Sequence, residues 1–175
     1  MSSLETTLYF GTRNPRKNLP EEVRGKRAEV LFQNAFLRVW RNLLQERGIG
    51  GIQFELPGFG IADYLWVGEG SRIDAFEFKL NDWRKGATQA SRYRCYANRA
   101  LLVLPLQVAK AASAYLDEFT AINIGLIGYD RASNEIFPFF IPQSTSPLNP
   151  KAYHTALSKL STKRNFRKLS EPMEC

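Results

Sequence analysis

The sequence predicts one α/β domain in which a mixed β-sheet is flanked by helices, and three observations carry that reading. Apolar residues recur at spacings of three and four between Pro20 and Gly48. From Ile52 to Lys79 the pattern switches to the alternation of strands, and the continuous apolar run Ala100 to Pro105 then follows a second helical segment. At 175 residues with 44% apolar side chains, the chain can bury a core of its own, which excludes intrinsic disorder and a fibrous architecture.

The elements follow in order. Residues 1–19 are polar and carry Arg13, Arg16 and Lys17, the pattern of an arm. Pro20, Glu21 and Glu22 open a helix that Gly48 closes, and its stripe runs Ala28, Leu31, Phe32, Ala35, Phe36, Val39, Trp40, Leu43 and Leu44. Ile52 to Leu56, Ile61 to Val67 and Arg72 to Lys79 read as three strands, separated by the turns Pro57-Gly58-Phe59-Gly60 and Gly68-Glu69-Gly70-Ser71. A helix between Asp82 and Asn98 connects the third strand to Ala100–Pro105, so that pair is expected to be parallel. Gln107 to Phe119 reads as one more helix, Ile122 to Tyr129 and Glu135 to Phe140 as two strands, and Lys151 to Leu160 as a last helix before a basic end. The expected organisation is an arm over 1–19, a domain over 20–145, and a C-terminal helix with a basic tail over 146–175.

Lys and Arg number 24 against 17 Asp and Glu, a net charge of +7, which points to a polyanionic partner, nucleic acid first, against the plainer reading of a solvated basic surface. The two cysteines, Cys95 and Cys175, build no disulfide framework and fit a reducing compartment. The beginning lacks a charged segment followed by an apolar one, and no apolar run approaches the ~20 residues that span a bilayer, so a cytoplasmic protein with no membrane partner is expected.

The chemistry is concentrated in the second and third strands. Alternation places Ile73, Ala75, Glu77 and Lys79 on one face and Asp74, Phe76 and Phe78 on the other. An acid and an ammonium on a central strand are costly unless they pair or serve a ligand, and one salt bridge is the plain reading. Asp63, however, stands 14 positions before Glu77. A hairpin that pairs Val67 with Ile73 and has no bulge also sets Asp63 opposite Glu77, with both carboxylates on one face. Opposed carboxylates favour a bound cation, and oxygen ligands without His or Cys select Mg²⁺ or Mn²⁺ over Zn²⁺. A divalent cation beside a lysine is equipped for hydrolysis of a phosphodiester. By contrast, Asp74 points away from Glu77, Asp82 stands where a helix cap would, and His154 has no metal partner in sequence.

With Asp63 inside IADYLWV, Glu77-Phe78-Lys79 as an ExK, and the order αβββαβ over roughly residues 21–105, the chain resembles the PD-(D/E)xK nuclease superfamily, whose fold is restriction-endonuclease-like. Here the αβββαβ core is followed by an added α-β-β. Gln89 and Tyr93 in QASRY resemble the QxxxY element of many members, and Glu29 resembles an acid that completes the metal site in some. Ala62 stands where the family name has Pro. The resemblance implies a metal-dependent DNA nuclease, a hydrolase. Asp63, Glu77, the Phe78 carbonyl and Glu29 would be metal contributors, Lys79 would orient water and stabilise charge, and Gln89 would assist. Arg84, Lys85, Arg92, Tyr93 and Arg94, on the helix after the motif, are the candidate DNA contacts. A homodimer, and a protein partner that supplies specificity, are further expectations. The alternative is a nucleic-acid-binding protein of the same fold that does not cut.

Overall fold

The computed structural model describes residues 21–44, 48–162 and 167–168. The predicted arm lies outside them, as does most of the basic tail. The chain folds as an open, mixed sheet with helices on both faces. Helix α1 spans Glu21–Leu43, followed by strands β1 (Ile49–Leu56), β2 (Gly60–Val67) and β3 (Ile73–Phe78), helix α2 (Trp83–Tyr93) and strand β4 (Arg99–Pro105). Helices α3 (Leu106–Ala112) and α4 (Leu116–Ile122), strands β5 (Ile124–Asp130) and β6 (Glu135–Phe140), helix α5 (Pro150–Thr162) and a two-residue strand β7 (Arg167–Lys168) complete it. The strand order is β6-β5-β4-β3-β2-β1-β7. β3, β4 and β5 run parallel, and the remaining pairs are antiparallel.

Alternation along the strands divides the core into two layers. Tyr64, Trp66, Phe76, Phe78, Leu101, Val103 and Ile127 face α1, which covers them with Phe32, Phe36 and Leu37. Burial of those three side chains is worth roughly 1.5–3 kcal/mol each. The predicted stripe was wider than the contact: Ala28 is exposed and Leu43 is 61% exposed, while Val39, Trp40 and Leu44 pack on the sheet. On the other face Leu65, Val67, Ile73, Ala75, Leu102, Leu104, Ile124 and Leu126 meet α2, α3, α4 and α5. Ala152, Ala156 and Leu160 seat α5 on this layer at the spacing of one helical face, with Asn149 accepting from the Ala152 amide at 3.1 Å as a cap.

Several boundaries differ from the sequence reading for local reasons. α1 ends at Leu43 rather than near Gly48, and β1 begins at Ile49, three residues before the expected Ile52. α2 stops at Tyr93, five residues short of Asn98, where Asn98 is anchored: its Oδ1 accepts from the Ile73 amide at 2.8 Å and its Nδ2 donates to the Thr145 carbonyl at 3.1 Å. The segment read as one helix over Gln107–Phe119 is two helices joined by a 3₁₀ turn at Ser113–Tyr115, because Tyr115 leaves helical geometry (φ −117°, ψ 30°). Tyr115 stacks on Trp83 there, with ring centroids 5.2 Å apart. β5 begins at Ile124 rather than Ile122, since Asn123 adopts the left-handed conformation that caps α4. β6 is an edge strand, broken in register opposite Leu126 and Ile127, with Pro138 in its middle. No helix among the described residues is long and apolar enough to cross a membrane.

Candidate active site

The predicted register holds: Val67 pairs with Ile73, and the ladder continues to Tyr64 opposite Phe76. One step further brings Asp63 to Glu77 at the open ends of β2 and β3. There the backbone pairing gives way to side-chain bonds. Asp63 Oδ2 accepts from the Phe78 amide at 2.8 Å, Gln53 Nε2 donates to Asp63 Oδ1 at 3.2 Å, and Gln33 Nε2 of α1 donates to the Asp63 carbonyl at 3.1 Å. Asp63 is thus gripped from three elements. Gln53 does so from an unusual backbone: it has φ 51° within β1, left-handed for a residue with a side chain, and it lies directly opposite Asp63 between the pairs Ile52–Tyr64 and Phe54–Ala62.

Glu77 is 1% exposed, and its partners come from two sides. Lys79 Nζ lies 2.7 Å from Oε1. The Tyr93 hydroxyl reaches over from α2, 2.5 Å from Oε2 and 2.6 Å from the Ile61 carbonyl. That hydroxyl has one proton and faces two acceptors. Tyr93 donates to Glu77 Oε2, and the Ile61 carbonyl lies within reach of the same hydroxyl. Burial first, and then the charge of Asp63, push the Glu77 carboxyl up to about 7, against the bonds from Lys79 and Tyr93, which pull it down. Burial also raises Asp63, against the Phe78 amide and Lys79, which pull it down. For Lys79, burial works to lower the ammonium pKa, but Glu77, Glu29 and Asp63 outweigh it and leave it raised, so the side chain is a fixed cation at neutral pH.

Glycine at position 86 has its reason in this site. A Cβ there would stand 2.6 Å from Leu102 Cδ1 and 2.9 Å from Lys79 Cγ, so the bare backbone of α2 makes room for the lysine stem. Gly86, Gln89 and Tyr93 follow one another along one face of α2, which sets Gln89 between the turn that packs on Lys79 and the one that bonds Glu77. The Gln89 Oε1 is buried and has no hydrogen-bond partner among the described residues. Asp82 caps the helix by accepting from the Lys85 amide at 3.0 Å.

The remaining predicted residues are placed as follows. Glu29 is half-buried on α1, near enough for its charge to act on Lys79. Phe78 has its ring in the layer under α1. Arg84 lies over the rings of Trp83 and Tyr115, at 4.2 and 4.9 Å from their centroids, and Arg94 Nη1 donates to the Ile122 carbonyl at 2.9 Å. Lys85 and Arg92 are exposed, whereas Tyr93 is 1% exposed and forms the wall of the site instead of an outer surface. Asp74, as expected from alternation, is turned away and paired with Arg99, whose Nε lies at 2.8 Å. His154 is exposed against Tyr153.

Sequence reasoning missed Gln33, Gln53 and the bond from Tyr93 to Glu77. Gln33 stands one turn after Glu29 on α1, a signal that could have been used; nothing in the sequence marks Gln53. Among the described residues no three His, Cys, Asp or Glu side chains are gathered as a metal-ligating group. What the site offers a cation is the pair Asp63 and Glu77, all-oxygen and mutually repelling, which suits a hard divalent ion that would relieve both burial and repulsion. Comparison with known proteins finds no matching family model, no matching curated protein and no matching solved structure.

Proposed function

We propose that this chain is a metal-dependent DNA nuclease and that its sheet is the restriction-endonuclease-like αβββαβ core. The observation that carries the reading is the convergence of a buried carboxylate, Glu77, and a half-buried one, Asp63, with the Lys79 ammonium at the ends of adjacent strands. A structural ion pair would need Glu77 and Lys79 alone; a third charged group, of the same sign as Glu77 and raising its pKa, does not help such a pair. The order α1-β1-β2-β3-α2-β4, with β3 and β4 parallel, supports the fold assignment.

Asp63, Glu77 and the Phe78 carbonyl would hold Mg²⁺ or Mn²⁺, with Glu29 acting on the same region from α1. When bound, the ion lowers the pKa of a water and neutralises charge on the phosphorane. The chain's own groups do the rest. Lys79, a permanent cation, orients the attacking water and stabilises developing negative charge, and is too basic to remove a proton. Tyr93 fixes the position of Glu77 through its hydroxyl, which also lies against the Ile61 carbonyl. Gln89, with its free buried oxygen, accepts a hydrogen bond from a water at the site's edge.

The test is cleavage of supercoiled, linear, single-stranded, flapped and four-way DNA with Mg²⁺ or Mn²⁺ by the parent, Glu77→Ala and Lys79→Ala. Cutting by the parent that both substitutions abolish is the expected result. Salt-sensitive DNA binding by all three without any cutting would overturn the nuclease reading and leave a binding protein of this fold.

A further inference from the structure

The three parallel strands end along one edge of the sheet. Phe78 is level with Val103, and Val103 with Ile127. Lys79 therefore leaves β3 level with Gly128, and Arg131 leaves β5 three residues further on and two strands away, roughly 14 Å off across the same edge. Past Leu80, on the α1 face of the sheet, lies an apolar cavity of about 450 Å³ walled by Phe32, Leu80, Pro105, Leu106 and Tyr129, with Arg131 at its rim. Arg131 also enters a second groove, of about 360 Å³, with Arg38 and Asn42 of α1 and Asn134 of the β5–β6 turn. The two spaces share Arg131 and so adjoin on the α1 face.

The second groove holds two guanidinium groups and no acid. Among the described residues neither Arg38 nor Arg131 has a carboxylate partner. The neighbouring acid, Asp130, is engaged within its own turn, accepting from the Ala132 amide at 3.0 Å and the Ser133 hydroxyl at 3.1 Å. Asn134 accepts from the Tyr129 hydroxyl at 2.8 Å, which leaves its amide NH₂ free to donate. Both arginines act on that same hydroxyl: burial raises the Tyr129 pKa, and Arg131 and Arg38 pull against it. Two convergent guanidinium groups repel one another until an anion with several oxygens lies between them, and phosphate matches their fork geometry.

We propose that Arg38 and Arg131 clamp a backbone phosphate of the DNA a nucleotide or two from the cut, so that the strand passes from Lys79 over the ends of β3, β4 and β5 to the α1 face, where the apolar cavity beside Leu80 receives a sugar and base. The position of the clamp follows from the groove; that the polyanion is DNA rests on the nuclease reading. Its location outside α2 distinguishes it from the basic residues Arg84, Lys85 and Arg92.

The experiment is fluorescence anisotropy of a short fluorescein-labelled DNA duplex in EDTA, so that no cutting occurs, across a range of NaCl. The proteins are the parent, Arg38→Ala/Arg131→Ala, and Lys110→Ala/Lys151→Ala, which removes the same charge from exposed positions elsewhere. The clamp variant is expected to bind about ten-fold or more weaker at low salt, with the log–log salt slope reduced by about 1 to 2. The Lys110/Lys151 pair should stay close to the parent. Parent-like binding by the clamp variant, or an equal loss in both double variants, overturns the clamp and leaves the nuclease reading standing. A parent that shows no salt-dependent binding overturns both. Each variant replaces exposed side chains, and an unchanged thermal midpoint establishes that it is folded.

Discussion

Replacing Glu77 with Gln should make the metal-free protein more stable and functionless at once. Folded Glu77 keeps its proton up to about pH 7, whereas the unfolded chain releases it near 4.5. Between those values the native state binds more protons than the unfolded one, so stability falls as pH rises through the window. A difference of about 2.5 units corresponds to about 3 kcal/mol, fully lost above pH 7 and absent below about 4.5. Glutamine imitates the protonated acid at every pH, and Lys79 keeps Asp63 and Glu29 as counter-charges. Urea denaturation in EDTA at a series of pH values should therefore give two curves that meet in acid and diverge by about 3 kcal/mol, in the variant's favour, toward pH 8. Mg²⁺ or Mn²⁺ at about 100 times its dissociation constant should return about 2.7 kcal/mol to the parent and nothing to the variant. Parallel curves, or a parent more stable than the variant at about pH 8 without divalent ions, would refute the reasoning.

Other substitutions probe the same neighbourhood. Tyr93→Phe removes a hydroxyl that serves both Glu77 and Ile61; it should cost about 1–3 kcal/mol and move the Glu77 titration still higher, visible by carboxyl NMR. Gly86→Ala drives a methyl against Leu102 and the Lys79 stem. Its expected cost is about 1–3 kcal/mol by thermal denaturation, with cleavage falling more than stability predicts because Lys79 is displaced. Gln53→Gly relieves the left-handed backbone and deletes the amide on Asp63. Stability should stay within about 1 kcal/mol of the parent, while calorimetry reports several-fold weaker Mn²⁺ binding.

The parts of the fold that periodicity governs were legible. Alternation over IADYLWV and RIDAFEFK identified the faces of β2 and β3, and an even spacing between Asp63 and Glu77 was enough to fix their register. Asp74 and Asp82 were likewise assigned to structural roles from pattern alone, and they are found bonded to Arg99 and the Lys85 amide. What escaped the sequence depends on tertiary override of local signals. Tyr115 leaves the helical backbone where it packs against Trp83, so the apolar period from Gln107 to Phe119 reads through a break it cannot register. Gly86 is a poor helix former by itself, and its purpose, clearance for the Lys79 stem just past β3, shows only in the packed fold. Gln53 shows the limit most sharply, since its backbone angle and its bond to Asp63 exist only once β1 and β2 are paired. Tyr93 was read both with Gln89 as a QxxxY element and, among basic neighbours, as a DNA contact; helix geometry turns it inward to Glu77, away from the outer surface.

The outer rim of the sheet has a consequence for how copies of this protein meet. β6 ends the sheet with Phe137 36% exposed and, just beyond the strand, Ile141 46% exposed, the kind of apolar border along which proteins aggregate by adding strands. Pro138 interrupts it. With no amide hydrogen at that position, and a register break in the pairing to β5, the border presents no continuous row of donors for an incoming strand to match. The proline thus lets copies of this protein crowd along this border without templating a fibril.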